Sequence, residues 1–147
     1  MSVSVYVCAQ DVRVPLAAAR VEAIARATLA SERVRDAMLS ITFVSDVAIT
    51  RLNAKHLRHR GATDVISFGF RGAGTDAPVI GDIYIAPAVA RANALEHGVP
   101  VREELARLVV HGTLHVLGYD HPEADGRTKS PMWKRQERVL ARVLASV

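Results

Sequence analysis

Between positions 111 and 121 the chain reads His-Gly-Thr-Leu-His-Val-Leu-Gly-Tyr-Asp-His, and this segment restricts the fold more than any other. His111 and His115 stand four apart, so a helix through them projects both rings from one face. Gly118 adopts left-handed backbone at no steric cost and can end that helix. The resulting turn can swing His121 back to the same point in space. Three imidazoles with no fourth protein ligand are the pattern of a catalytic metal site, whose last position is left open for water.

The intervals match those of zinc peptidases of the His-Glu-x-x-His-x-x-Gly-x-x-His type. In those enzymes the residue after the first His is the Glu that serves as general base. Here that place holds Gly112. The chain keeps the metal cage and lacks the peptidase base, which points to a different hydrolytic reaction.

The rest of the chain supplies a frame for this helix. Strands are expected at Val3 to Val7, Leu39 to Val44, Asp64 to Phe68 and Val79 to Ile85, from β-branched and alternating residues. Helices are expected from Val14-Pro15, with Leu16, Val21, Ile24, Thr28 and Leu29 as the apolar stripe, and from a Ser45 or Asp46 cap toward Arg60-Gly61. Further helices are expected from Ala86-Pro87 to Gly98, from Pro100 to Leu117, and from the Ser130-Pro131 cap onward. The last should bury Met132, Val139, Leu140, Val143 and Leu144. Gly-rich residues 71 to 78 read as the loop of a hairpin. No repeat or linker interrupts the chain of 147 residues. The expected fold is a single α+β (mixed α/β) domain over 1–147, with one sheet of about four strands and about five helices packed on it. Strand order is not readable.

Half of the residues are hydrophobic, enough for one core. The single cysteine, Cys8, excludes an intramolecular disulfide and reads as a small buried hydrophobe in an apolar strand. With no signal peptide and no apolar run near the roughly 20 residues of a membrane span, a cytoplasmic protein is expected. The net charge of +4 is a modest bias toward polyanions. It is concentrated in two runs, at Lys55 to Arg60 and at Lys129, Lys134, Arg135, Arg138 and Arg142. Each run reads equally well as a solvated face. At 5% aromatic residues, an extended base-stacking platform is not expected.

The run His111-Gly-x-Leu-His115-x-x-Gly118-Tyr119-Asp120-His121 resembles the signature of the YbeY family. Leu52-Asn53, Thr63-Asp64-Val65-Ile66-Ser67-Phe68, Gly81-Asp82-Ile83, Met132 and Gln136-Glu137 follow in that family's order, so the resemblance covers roughly residues 40 to 145. It implies a metal-dependent endoribonuclease of ribosomal RNA maturation, acting on single-stranded RNA and associated with the small ribosomal subunit, with no DNA or membrane partner. It also implies one Zn²⁺ held by His111, His115 and His121. The chain departs from the family at two places. Many members have an Arg six residues before the Thr of the Thr-Asp-Val run, and here that place is Leu57, with Arg58 and Arg60 beside it. Phe68 is followed by Gly69 where Pro is usual, which reads as a local loop change.

On this reading the open metal position activates water or polarises the phosphodiester. Arg58 and Arg60 are the candidates for stabilising charge on the phosphoryl oxygens. Asp120 is either an acid/base or ring-orienting group, or a turn-stabilising residue. Asp82 reads as a turn or edge carboxylate in preference to one lining the cleft, Asp64 as a local turn residue in preference to a catalytic one, and Ser67 not as a nucleophile. His56 and His59 read as surface residues, and His97 as a helix C-terminal residue. Two other functions stay open. One is a metallopeptidase or amidase, disfavoured by Gly112. The other is a non-catalytic ribosome-assembly factor with structural zinc, disfavoured because structural zinc normally has four protein ligands.

Overall fold

The alternation of apolar residues along four short strands builds one sheet. The computed structural model of the chain describes residues 2–56, 63–71, 77–119 and 130–145. In chain order the elements are β1 (Val3–Ala9), α1 (Ala18–Ser31), β2 (Ala37–Phe43), α2 (Asp46–His56), β3 (Val65–Arg71), β4 (Val79–Ile85), α3 (Pro87–His97), α4 (Val101–Val116) and α5 (Pro131–Ala145). The sheet order is β1-β2-β4-β3, with β3 antiparallel to β4 and the other pairs parallel. The expected α+β architecture is therefore present. None of the helices is long and apolar enough to cross a membrane, among the described residues.

Two faces of the sheet have different fates. Leu39 and Ile41 of β2 and Val79, Ile83 and Ile85 of β4 point to one face, where α1 and α4 cover them in the main core. On the other face α2 covers one end through Ile49, Ile66, Val44 and Ala86. The far end stays open, where Met38, Ile80 and Phe70 line up across three strands in exposed positions. Asp82 shares this open face, inside the central strand β4, so it is neither the turn nor the edge carboxylate expected.

Several local expectations need correction. Helix α1 begins at Ala18, not at Pro15; Ala17 is extended and provides no side-chain cap. Val14 and Leu16 instead pack as a lead-in against the core. Cys8 is exposed, because β1 alternates with Val5 inward and Tyr6 and Cys8 on the opposite face. Leu144 is also exposed, one step round α5 from the buried stripe of Met132, Gln136, Val139, Leu140 and Val143. Of the two candidate caps for α2, Ser45 closes its first turn, its Oγ accepting from Ala48 N–H at 3.0 Å.

Helix α4 lies unusually close to the sheet. Gly69 and Gly81 are direct partners across β3 and β4, and both face the end of α4. A Cβ on Gly69 would lie 2.6 Å from the Val116 carbonyl oxygen, and one on Gly81 would lie 2.7 Å from Val116 Cγ2. Position 69 is thus mid-strand, not a loop, and glycine there makes room for the helix backbone. Gly69→Ala should cost about 1–3 kcal/mol through overpacking, read as a lower urea midpoint with an unchanged m-value. A cost below about 0.5 kcal/mol would show that the helix shifts freely away from the sheet.

Candidate metal centre

Most of α4 is buried, and its polar residues are placed with purpose. Glu103 and Glu104 occupy the first turn, where the helix dipole favours carboxylates. One turn later Arg107 bonds Glu104 at 3.1 Å, Glu103 at 3.3 Å and Glu137 of α5 at 3.0 and 3.2 Å. Burial alone would lower the Arg107 pKa. The hydrogen bonds and negative charge of Glu137 and Glu104 outweigh it and raise the value above the ordinary one. The guanidinium is a permanent cation joining α4 to α5.

The next turn carries His111 and His115. Their rings meet edge to face, with centroids 4.6 Å apart and planes at 77°. The expectation that spacing of four places both rings on one face is met. His111 is 4% exposed, while His115 is half-buried. His111 Nδ1 lies 2.6 Å from Gln136 Oε1 on α5. That amide oxygen only accepts, so Nδ1 carries the proton and the lone pair falls on Nε2. A buried imidazole held in this tautomer by a second residue is the arrangement of a metal-ligating histidine. The donor chemistry therefore fits a borderline cation such as Zn²⁺.

The helix stops where the Gly118 spacing predicts. Gly118 has φ +102°, its N–H donates to His115 O at 2.9 Å, and Tyr119 N–H donates to Leu114 O at 3.1 Å. These are the paired bonds of a glycine-terminated helix. Beyond the turn, Tyr119 O–H donates at 2.5 Å to Oε1 of Glu32, the C-cap of α1, and Arg135 of α5 lies 3.3 Å from the other oxygen of Glu32. The Tyr119 hydrogen bond and the Glu32 charge raise the Arg135 pKa. The chain leaving α4 is thus tied to two helices just before the third histidine of the signature. His121, Asp120, Arg58, Arg60 and His59 lie outside the described residues, as does the side chain of His56.

A cleft of about 510 Å³ opens beside His111, lined by Asp64, Asn93, Arg107, Trp133 and Gln136 among others. Asp64 also reaches beyond its own turn: Asn93 Nδ2 of α3 donates to it at 3.1 Å, across 29 residues of sequence. Ser67 Oγ is buried beneath α4, near Gly112. His97 sits in the last turn of α3, bonded to Asn93 O at 2.9 Å, as expected. Sequence reading noted Gln136 without giving it a role. Its signal was a polar residue on the apolar stripe of an amphipathic helix.

The chain matches the family described as Endoribonuclease YbeY over residues 7–144. It belongs to the YbeY family. It is 36% identical over 130 residues to the Endoribonuclease YbeY of Desulfitobacterium hafniense, covering 83% of this chain and 82% of that one. Against the protein of the same name from Moorella thermoacetica, identity is 41% over 117 residues, or 74% of each chain. A solution structure from Thermotoga maritima shares the fold, with TM-score 0.65 and 24% identity over 97% of this chain and 90% of that one.

The geometry at Gly112 bears on what such a centre can do. A Cβ there would lie 2.8 Å from Ile83 Cγ2 and 3.2 Å from Ser67 Oγ, so position 112 faces the sheet. A Glu at 112 would clash with β4. Gly112→Glu should therefore confer no peptide hydrolysis and should destabilise the fold by at least about 3 kcal/mol, from overpacking plus a buried carboxylate. Peptide turnover by a stably folded Gly112→Glu protein would contradict this.

Proposed function

We propose that the protein is a zinc-dependent endoribonuclease that cuts single-stranded RNA, acting in maturation of the small-subunit ribosomal RNA and in ribosome quality control in the cytoplasm. The supporting observation is the edge-to-face His111–His115 pair, with the bond from His111 Nδ1 to Gln136, in a chain of the YbeY family. His111 and His115 supply two ligands and His121 the third. When bound, the zinc ion supplies a Lewis acid that activates water and polarises the phosphodiester.

The chain's own residues do the remaining work. Arg58 and Arg60 are assigned to the phosphoryl oxygens, where a guanidinium matches developing negative charge. Asp120 stands next to His121 and is assigned to orient that ring or to move a proton. Lys134, Arg138 and Arg142 are exposed at intervals of four along α5, a basic stripe suited to RNA phosphates.

Labelled single-stranded RNA incubated with the purified protein should be cleaved, and His115→Ala should lose more than about 100-fold in rate while staying folded. Chelation should abolish cleavage and added Zn²⁺ restore it. Equal cleavage by both proteins would exclude a metal-centred reaction. No cleavage by either across several divalent metals would favour an assembly factor with structural zinc.

The basic stripe gives a separate expectation. Replacing Lys134, Arg138 and Arg142 together by Ala should flatten the slope of log K against log salt by about 2 for single-stranded RNA. An unchanged slope would remove the stripe from the interface.

A further inference from the structure

The bonds around His111 form a directed chain. Arg107 Nε and a terminal nitrogen donate to the two oxygens of Glu137, at 3.0 and 3.2 Å. Gln136 Nε2 donates to Glu137 Oε2 at 2.9 Å. Gln136 Oε1 then faces His111 Nδ1 at 2.6 Å. A guanidinium can only donate, and a carboxylate beside it can only accept. Glu137 therefore requires the nitrogen end of the Gln136 amide, which turns the oxygen end to His111. Each step leaves one choice to the next.

We infer that Glu137 and Arg107 are positioning residues for the metal centre, which dictate through Gln136 the nitrogen of His111 that offers its lone pair. Neither residue is a ligand in the proposed site. The inference rests on the zinc reading for its consequence, while the tautomer itself is independent of any metal. Gln136 is 1% exposed and His111 4%, so bulk water does not compete for these bonds. An amide alone could present either end to an imidazole, and the His tautomer would follow it. The fixed charge of Arg107, held by carboxylates on two helices, removes that freedom.

The relay can be cut while Gln136 and His111 stay in place. In Glu137→Leu the carboxylate that holds the nitrogen end of Gln136 is gone, while Glu103 and Glu104 still hold Arg107. Gln136 can then turn either end to His111, and both tautomers become populated. Glu103→Gln is the control, because Glu103 touches Arg107 but not the rest of the relay.

The test is the ring nitrogen-15 spectrum of His111 in full-length, metal-free protein, with Zn²⁺ affinity measured beside it by competition with a chromophoric chelator. Wild type and Glu103→Gln should show His111 protonated on Nδ1. Glu137→Leu should populate the Nε2–H form beside Nδ1–H and weaken Zn²⁺ binding by up to about 10-fold. A folded Glu137→Leu protein that keeps the Nδ1–H form alone overturns the inference, whatever its stability. A wild type found mainly as Nε2–H overturns it even if the variant does not fold. If the tautomer shifts as expected but the wild type binds no Zn²⁺, the relay stands and the zinc reading fails.

Discussion

The close seating of α4 against the sheet is the constraint on which the rest of the structure depends. A helix on a sheet ordinarily stands off by the length of interlocking side chains. Here Gly69 and Gly81 leave a flat place across β3 and β4 for the Val116 turn, and Gly112 leaves another against Ile83. The close approach buries most of α4, including His111. That burial is what gives a hydrogen bond to His111 its directing force. In water an imidazole exchanges tautomers and partners freely, whereas in a packed interior an unmet polar atom costs about 1–3 kcal/mol. The glycines therefore shape the chemistry of the centre although none of them touches it.

The polar residues of α4 and α5 follow from that burial. Every group brought into the interface needs a partner, and the two helices meet that need by sharing one network from Glu103 and Glu104 through Arg107 and Glu137 to Gln136 and His111. Such networks are sensitive to a single lost member, because a half-satisfied buried network is worse than an apolar core. The same geometry serves packing and tautomer control at once. Helix α5 is held to α4 by the bonds that orient the histidine.

Much of this was legible in the chain. Spacing of four marked the shared face of His111 and His115, and Gly118 marked the helix end; both follow from local backbone geometry, which sequence encodes directly. Strands β1 to β4 were visible in their β-branched alternation. What was not legible depends on parity and on distant neighbours. Cys8 looked buried because its strand is apolar, yet one step of the pleat decides the face. Asp82 looked like an edge residue because strand order was unknown, and the order places β4 inside the sheet. The Gln136–His111 bond joins residues 25 apart; a polar residue on the apolar stripe of α5 marks Gln136 but does not name its partner. His121, Asp120 and the two arginine candidates fall outside the described residues.

Gly112 links the architecture to the reaction class. A metallopeptidase of the same histidine spacing carries its general base at this position, which requires a helix side chain with room beside the metal. In this chain position 112 looks into Ile83 and Ser67, and the helix could not approach the sheet if it bore a side chain. The seating that buries and orients His111 is thus incompatible with a base at position 112. On the proposed function, a side chain that moves a proton would come from another position, and electrostatic stabilisation by cations offers a route to phosphodiester cleavage that needs no base at that place. The two chemistries separate on how far a helix stands from its sheet.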